Sequence, residues 1–421
     1  MRKKILDSEK SNPKTNLFAQ NFETLSILMI GIIVILLFFV PQITGLKIAE
    51  VTSYFTQDGH CVETTALTKL HCFGDFGYPI EIVRSGKNIW GKDVGNPYPV
   101  MNFQIFLVFS FIAAKIGYLF SLILYLCSLI FAMTVPFMHA LKNKPVKYTA
   151  SYISTCVLAT FPFLIVLDRG NNSVWTVPFI YFFIAARYHN IPKKYDVIFA
   201  TAAIILRPQN LILLVIFLSK REYRKIFGTL LLSMFINIFG LLLWDAGNFL
   251  INLKNQINQL INYGSGIPGT WPPNLSFARG AKTLTEILNF TIPDSILINS
   301  GYLIGTLIVF KLVSVKNKYS DAQILYLTLP LIFLMPAMSW YYYSSILLVV
   351  VASTLLLKTE MKEIGLNSHT RGHLYLFATL VTTIPLCLPI WHDQNNITQT
   401  FVPLIWLLTY ITFIVTGWRK V

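Results

Sequence analysis

A polytopic, all-α bundle of membrane-spanning helices is the fold class this sequence predicts, and three observations predict it. Charged residues make up only 13% of the 421 residues and apolar residues 54%, against about 25% charged in a soluble globular protein. Mean hydropathy is +0.59. Hydrophobic blocks recur from end to end, each near the roughly 20 residues that cross a bilayer core. In lipid the backbone must satisfy its own hydrogen bonds, as helices or as a closed barrel. Continuous apolar blocks, rather than short alternating strands, select helices.

The N-terminal residues 1–24 are polar and basic, with Arg2, Lys3, Lys4, Lys10 and Lys14, and read as a cytoplasmic tail. Leu25–Leu46 is too long for the apolar core of a signal peptide and lacks a small-residue cleavage site, so it reads as a retained crossing. Residues 47–103 mix acids and bases evenly and form the first outer loop. Gln104–Ala114 is short and apolar, and reads as an interfacial amphipathic element. Gly117–Ala140 crosses inward to the basic run Lys142–Lys147. Tyr148–Leu167 crosses out to Asp168-Arg169-Gly170-Asn171, and Val174–Ala186 returns to Arg187 and Lys193-Lys194.

Tyr195–Ser219 is bounded by basic residues at both ends and interrupted by Arg207-Pro208-Gln209-Asn210. One crossing would leave a basic cluster outside, whereas two half-helices meeting at Pro208 keep both clusters inside. Broken helices of this kind line cavities. Ile226–Trp244 then crosses outward, residues 245–293 form the second outer loop, and Ile296–Leu312 returns. Ile324–Met338, Tyr342–Leu357, Leu374–Ile390 and Phe401–Gly417 complete a single transmembrane domain over residues 1–421. The sum is about ten crossings plus one half-helix pair, with both termini cytoplasmic. The formal net charge of +15 follows from basic loops facing an anionic leaflet. No nucleic-acid-binding motif is present, and nucleic acid is not an expected partner.

Of the 5 cysteines, Cys127, Cys156 and Cys387 sit in apolar blocks and read as small core residues. Cys61 and Cys72 share the first outer loop. An oxidising compartment allows them to pair, and the sequence leaves the pairing open.

Polar groups converge on the outer face. Asp75 lies in the first loop, Asp168 and Arg169 end an outgoing segment, Arg207 sits at the helix break, and Arg279 and Lys282 lie in the second loop. One carboxylate facing several cations suits group transfer from an anionic leaving group. The base takes a hydroxyl proton and the cations stabilise a departing phosphate. The plainer readings stand beside these. A loop Asp before Gly and Pro caps turns, Asp168-Arg169 is a simple interfacial ion pair, and Arg207 pairs with carbonyls released by the helix break. Trp271, Trp340, Tyr341, Tyr342 and Tyr343 read as interface anchors or as a surface for stacking on a sugar. Asn171, Asn274 and Ser276 suit either hydroxyl binding or turns. Phosphate-loop, paired-cysteine, zinc-protease and serine-hydrolase motifs are missing, and acidic residues do not cluster. No metal site or cofactor is expected.

Five motifs, in this order and spacing, resemble the polytopic GT-C glycosyltransferases, and within them the polyprenyl-phosphate-mannose-dependent α-mannosyltransferases (glycosyltransferase family eighty-seven). They are Gly74-Asp75-Phe76-Gly77-Tyr78 with Gly95-Asn96-Pro97-Tyr98; Gly170-Asn171; Arg207-Pro208 with the basic turn Lys220-Arg221-Glu222-Tyr223-Arg224; Asn274-Leu275-Ser276; and Pro336-Ala337-Met338-Ser339-Trp340. The resemblance covers Gly74 to Tyr343. It implies a GT-C helical bundle in which Asp75 is the catalytic base. Arg207, Arg169 and Arg279 would then hold the donor phosphate. Tyr78, Asn96, Tyr98, Asn171, Asn274, Ser276, Trp340 and Tyr342 would bind sugar or acceptor. The chain departs from the family where a His usually follows Ser-Trp, which here is Tyr341-Tyr342-Tyr343, and in carrying Arg207 where Lys is frequent. The expectation is therefore a glycosyltransferase of the plasma (inner) membrane with its site on the periplasmic or outer face. It would move mannose or another hexose or pentose from a polyprenyl-phosphate carrier to an envelope glycan or glycolipid. A transporter or flippase of lipid-linked sugars is the alternative, since it would share the basic mouth and broken helix.

Overall fold

The computed structural model describes residues 73–85, 99–158, 160, 162–163, 166–167, 170–188, 195–245, 247–264, 275–314, 321–336, 341–356, 378–379, 382 and 397–416. Among these the chain is helical, without strands. The N-terminal tail, the Leu25–Leu46 crossing, most of Leu374–Ile390, and Cys61 and Cys72 lie outside the described residues.

In chain order the helices are α1 Gly74–Ser85, α2 Val100–Lys115, α3 Tyr118–Ala140, α4 Val146–Ile153, α5 Thr176–Tyr188, α6 Tyr195–Leu206, α7 Leu214–Ser219 and α8 Tyr223–Asp245. They continue as α9 Phe249–Gly264, α10 Phe277–Ile287, α11 Asp294–Ser314, α12 Asp321–Thr328, α13 Leu331–Leu334, α14 Leu347–Leu356 and α15 Ile397–Thr416. Both outer loops of the sequence reading therefore contain helices: α1 in the first, α9 and α10 in the second.

Three helices among the described residues, α3, α8 and α11, are long and apolar enough to cross a membrane. At 1.5 Å per residue their 23, 23 and 21 residues match the roughly 30 Å hydrocarbon thickness. Their outward faces are apolar, with Phe131, Phe235 and Phe310 more than 60% exposed. Such surfaces are stable against lipid and not against water. Cys127, expected in the core, lies on the exposed face of α3, and Cys156 is half-buried.

Other expected crossings arrive in pieces. The Tyr148–Leu167 block runs as α4 and then a π-turn over Ser154–Leu158. In it the Thr155 hydroxyl bonds the Ser151 carbonyl at 3.0 Å, a side-chain competition that loosens helices. The Ile324–Met338 block breaks at Leu329-Pro330 between α12 and α13, because proline removes one ladder bond and clashes with a carbonyl one turn back. The short Gln104–Ala114 block is not amphipathic in the expected sense. It belongs to α2, whose polar Asn102 and Ser110 are buried while Leu107, Val108 and Phe111 are exposed.

The broken helix is clear. α6 ends at Leu206, Arg207 is extended (φ −149°, ψ 107°), and a 3-10 turn over Pro208–Leu213 leads into α7. Asn102 Nδ2 takes up the Leu206 carbonyl at 3.1 Å, and Asn210 Nδ2 adds a second donor, at 2.8 Å, to the Ala203 carbonyl, which already accepts from Arg207 N at 3.0 Å. A left-handed Arg221 (φ 58°) closes α7, with Glu222 N donating to Phe217 O at 2.8 Å, a Schellman ending.

Both ends of this excursion meet in one cluster of charges. Arg187, in the last turn of α5, contacts Asp196 at 3.1 Å and Glu222 at 2.9 Å. Lys225 at the start of α8 contacts Asp196 at 2.6 Å and Glu222 at 3.4 Å. Arg187 and Lys225 both stand over the Phe217 ring, at 5.4 and 5.5 Å. Asp196 opens α6 and Glu222 follows α7, so the chain enters and leaves at the same place and turns back at Arg207-Pro208. Most of the core is one apolar cluster, with α5 packed among α3, α6 and α14, and a second, smaller one forms around Ile82, Val100, Phe103 and Leu241.

Burial raises the Glu222 carboxyl, but the Arg187 hydrogen bond and charge, with Lys225, outweigh it and hold the group below its ordinary value. A depressed folded-state value contributes stability that is complete above the ordinary carboxylate range and lost as pH falls through the folded value. Wild-type stability in detergent should therefore fall on acidification below about pH 4.3 more steeply than that of Glu222→Gln. Asp196→Ala, which leaves Arg187 and Lys225 to share Glu222 alone, should cost about 1–3 kcal/mol, measured by chemical unfolding in detergent.

Candidate functional site

At the far ends of α5 and α6 from the charge cluster, three segments converge. The first is the N-terminus of α1. Phe73, left-handed at φ 40°, accepts from Phe76 N and Gly77 N and starts the helix. Asp75 follows in its first turn, where peptide dipoles favour an anion. The second is the turn that opens the return segment. Gly170 is left-handed (φ 62°), and Asn171 N donates back to Val166 O at 3.0 Å. A Cβ on Gly170 would stand 3.2 Å from Phe76 Cβ, so this turn and the Asp75 helix approach as only glycine permits. Tyr125 of α3 donates to the Gly170 carbonyl at 2.7 Å. Its ring packs 4.6 Å from that of Phe76. The third segment is the helix break at Arg207.

Asn171 joins all three. Its Oδ1 accepts from Ser173 N at 2.8 Å, capping the 3-10 turn Asn172–Trp175. The same oxygen accepts from Arg207 Nη2 at 3.2 Å, and its Nδ2 donates to Asp75 Oδ2 at 2.6 Å. These partners fix the orientation of the amide, because the reversed amide would meet two donors with a donor and a carboxylate with a carbonyl. Arg207, 7% exposed, also donates to Asn172 Oδ1 at 2.8 Å and to Tyr343 OH at 2.9 Å, and lies 5.1 Å over the Tyr343 ring. Each of these three partners is neutral, so none of them cancels the guanidinium charge.

Beside Arg207 lies a cavity of about 20 Å³, lined among others by Ser173, Gln209, Asn210, Ile332, Tyr343 and Ser345. The buried Ser173 Oγ and Gln209 Oε1 have no hydrogen-bond partner among the described residues. The space suits an ordered water. No group of His, Cys, Asp and Glu able to hold a metal occurs among the described residues.

Of the residues singled out in the sequence, Asp75, Asn171 and Arg207 come together. Tyr78 is on the same helix as Asp75 and 40% exposed. Its phenol is raised by burial, with the Glu81 charge adding. Ser276 and Arg279 sit elsewhere, at the start of α10, which packs on α11 and α15. The Ser276 hydroxyl caps that helix by accepting from Arg279 N at 3.0 Å, and both residues are buried. Lys282 is paired with Asp294 at 3.1 Å. Arg169, Asn96, Tyr98, Asn274 and Trp340, and the side chain of Tyr342, lie outside the described residues. Among the described residues the Arg207 side chain bonds amide and phenol oxygens, and Asn102 takes the carbonyl of Leu206. Sequence reasoning missed Asn172, Tyr125 and the role of Tyr343. The last stands in the stretch where the resembling family has His, which was the available signal.

No protein-family model matches the chain, and no curated protein matches it in sequence.

Gly170→Ala should lower stability by about 1–2 kcal/mol through the left-handed backbone alone, and more if Phe76 is displaced. Gly228→Ala, inside α8 with its nearest neighbour at 4.0 Å, should instead stabilise by about 0.5–1 kcal/mol. Thermal unfolding of the two variants in detergent checks the opposite signs.

Proposed function

We propose that this membrane protein is a glycosyltransferase that moves a monosaccharide from a polyprenyl-phosphate carrier to a glycan or glycolipid acceptor by inverting single displacement. The observation that carries the reading is the Asp75–Asn171–Arg207 arrangement, a carboxylate and a guanidinium held one amide group apart. In this reading Asp75 accepts the proton of an acceptor hydroxyl. That oxygen attacks the anomeric carbon from the face opposite the phosphate. The bond from the anomeric carbon to the phosphate oxygen breaks, and its electron pair leaves with the polyprenyl phosphate. Arg207 is placed to stabilise that developing charge in surroundings of low dielectric. Asn171 positions both groups, bonding each with one end of its amide. Tyr343 orients the guanidinium where the resembling family has His.

The donor enters from the outer leaflet, the site faces the periplasmic or outer side of the plasma membrane, and both termini are cytoplasmic. Arg169 and Arg279 remain further candidates for the donor phosphate. Tyr78, Asn96, Tyr98, Asn274, Ser276, Trp340 and Tyr342 remain candidates for the sugar and acceptor.

The test is transfer of labelled sugar by the purified, liposome-reconstituted protein supplied with polyprenyl-phosphate mannose and a set of other polyprenyl-phosphate sugars. Asp75→Asn should lower transfer by about 10²–10⁴-fold with unchanged thermal unfolding. Full activity of that variant would remove Asp75 from the mechanism. Movement of intact lipid-linked sugar across the bilayer without bond cleavage would replace the enzyme with a transporter.

A further inference from the structure

We infer that α9 lies flat in the membrane interface, with Leu250, Ile257 and Ile261 in the lipid, Asn252 and Gln256 turned toward the protein, and the exposed Lys254 and Asn258 at headgroup level. These three residues fall on one stripe of the helix at spacings of seven and four. They are 75%, 47% and 62% exposed. Asn252 and Gln256, on the opposite side, are 0% and 7% exposed. A water-facing helix would have the reverse arrangement, since apolar stripes drive burial and amides prefer solvent. Exposed Lys254 flanks the apolar stripe, where a long side chain reaches headgroup phosphates.

The occupant is identified by continuity with the bilayer-facing surface. α9 leaves the crossing helix α8 through a turn at Asp245, whose carboxylate accepts from Asn248 N and Nδ2 at 3.2 and 2.9 Å. The last turns of α8 expose Leu242 and Leu243, so the apolar belt of the crossing runs into the α9 stripe. The same outer segment ends with exposed Ile287, Leu288 and Phe290 just before the crossing helix α11. Both edges of the segment thus meet apolar surface that belongs in lipid.

The placement has a consequence for α1. Phe249 and Leu253 of α9 pack with Ile82, Val83, Val100, Phe103, Leu241 and Trp244. Ile82 lies seven residues, about 10 Å of helix, from Asp75. A helix at headgroup level therefore shares an apolar cluster with the helix that carries Asp75, and a substrate confined to the leaflet would pass α9 on its way to that carboxylate. This route rests on the transfer reading; the interfacial placement does not, and it stands on lipid contact alone.

The experiment reconstitutes the full chain in phosphatidylethanolamine–phosphatidylglycerol vesicles carrying a diazirine-tailed phosphatidylcholine. After photolysis, lipid adducts are mapped by peptide mass spectrometry. Adducts are expected at Leu250, Ile257 and Ile261 as well as at Phe235 and Phe239 of α8, which serve as the reference. In L250S/I257S/I261S the α9 adducts should be lost and the α8 adducts kept. Labelled α8 with unlabelled α9 in the wild-type chain overturns the inference. So do cross-links from α9 to a second copy or to another protein in place of lipid. None of these outcomes depends on whether sugar transfer occurs.

Discussion

The arrangement of this molecule depends on four charges that meet in one place, with Arg187 and Asp196 buried and Glu222 and Lys225 at the cluster's partly exposed edge. Arg187, Asp196, Glu222 and Lys225 clamp the end of α5, the start of α6, the turn after α7 and the start of α8 at one place. Breaking such a buried group is far more costly than leaving a surface pair unmade. With both ends of the 195–222 excursion held together, the chain has to reverse in its middle. Pro208 makes the reversal cheapest there, and the clamp thereby places Arg207 at the opposite end of the α5–α6 pair.

At that opposite end a carboxylate and a guanidinium are joined through one neutral amide. Asn171 gives its nitrogen to Asp75 and its oxygen to Arg207, while its own backbone turn is fixed by the left-handed Gly170. The close approach of Gly170 to Phe76 sets the spacing between the two segments. Helix interruptions that would be defects elsewhere line this region: the Arg207-Pro208 break and the Asn172–Trp175 and Tyr341–Ile346 3-10 turns all contribute to the small cavity, and Ile332 reaches it from just beyond Pro330.

The solvent imposes a second pattern, seen far from the site. α2 buries Asn102 and Ser110 and exposes Leu107, Val108 and Phe111, and α9 buries Asn252 and Gln256 and exposes Leu250 and Ile261. Helices with polar interiors and apolar exteriors follow from a hydrocarbon surround, where an exposed amide is costly and an exposed leucine is not. Read as water-facing, the same helices look inverted.

The sequence by itself determined the helical membrane class, because continuous apolar blocks with so few charges have no other stable solution. It also determined the break at Arg207-Pro208, since proline chemistry is local and the basic residues at both ends required a return. Asp75, Asn171 and Arg207 could be singled out by motif and chemistry. Tertiary structure alone decided that one amide joins them, that Tyr343 and Asn172 hold the guanidinium, and that Ser276 caps α10. It also decided which apolar blocks remain whole and which are divided by π-turns and prolines. The physical reason is that helix formation and proline breaks are set by neighbours in the chain. Hydrogen-bond partners 36 and 96 residues away, and the charge clamp that brings them into reach, are set by packing that no local window of sequence contains.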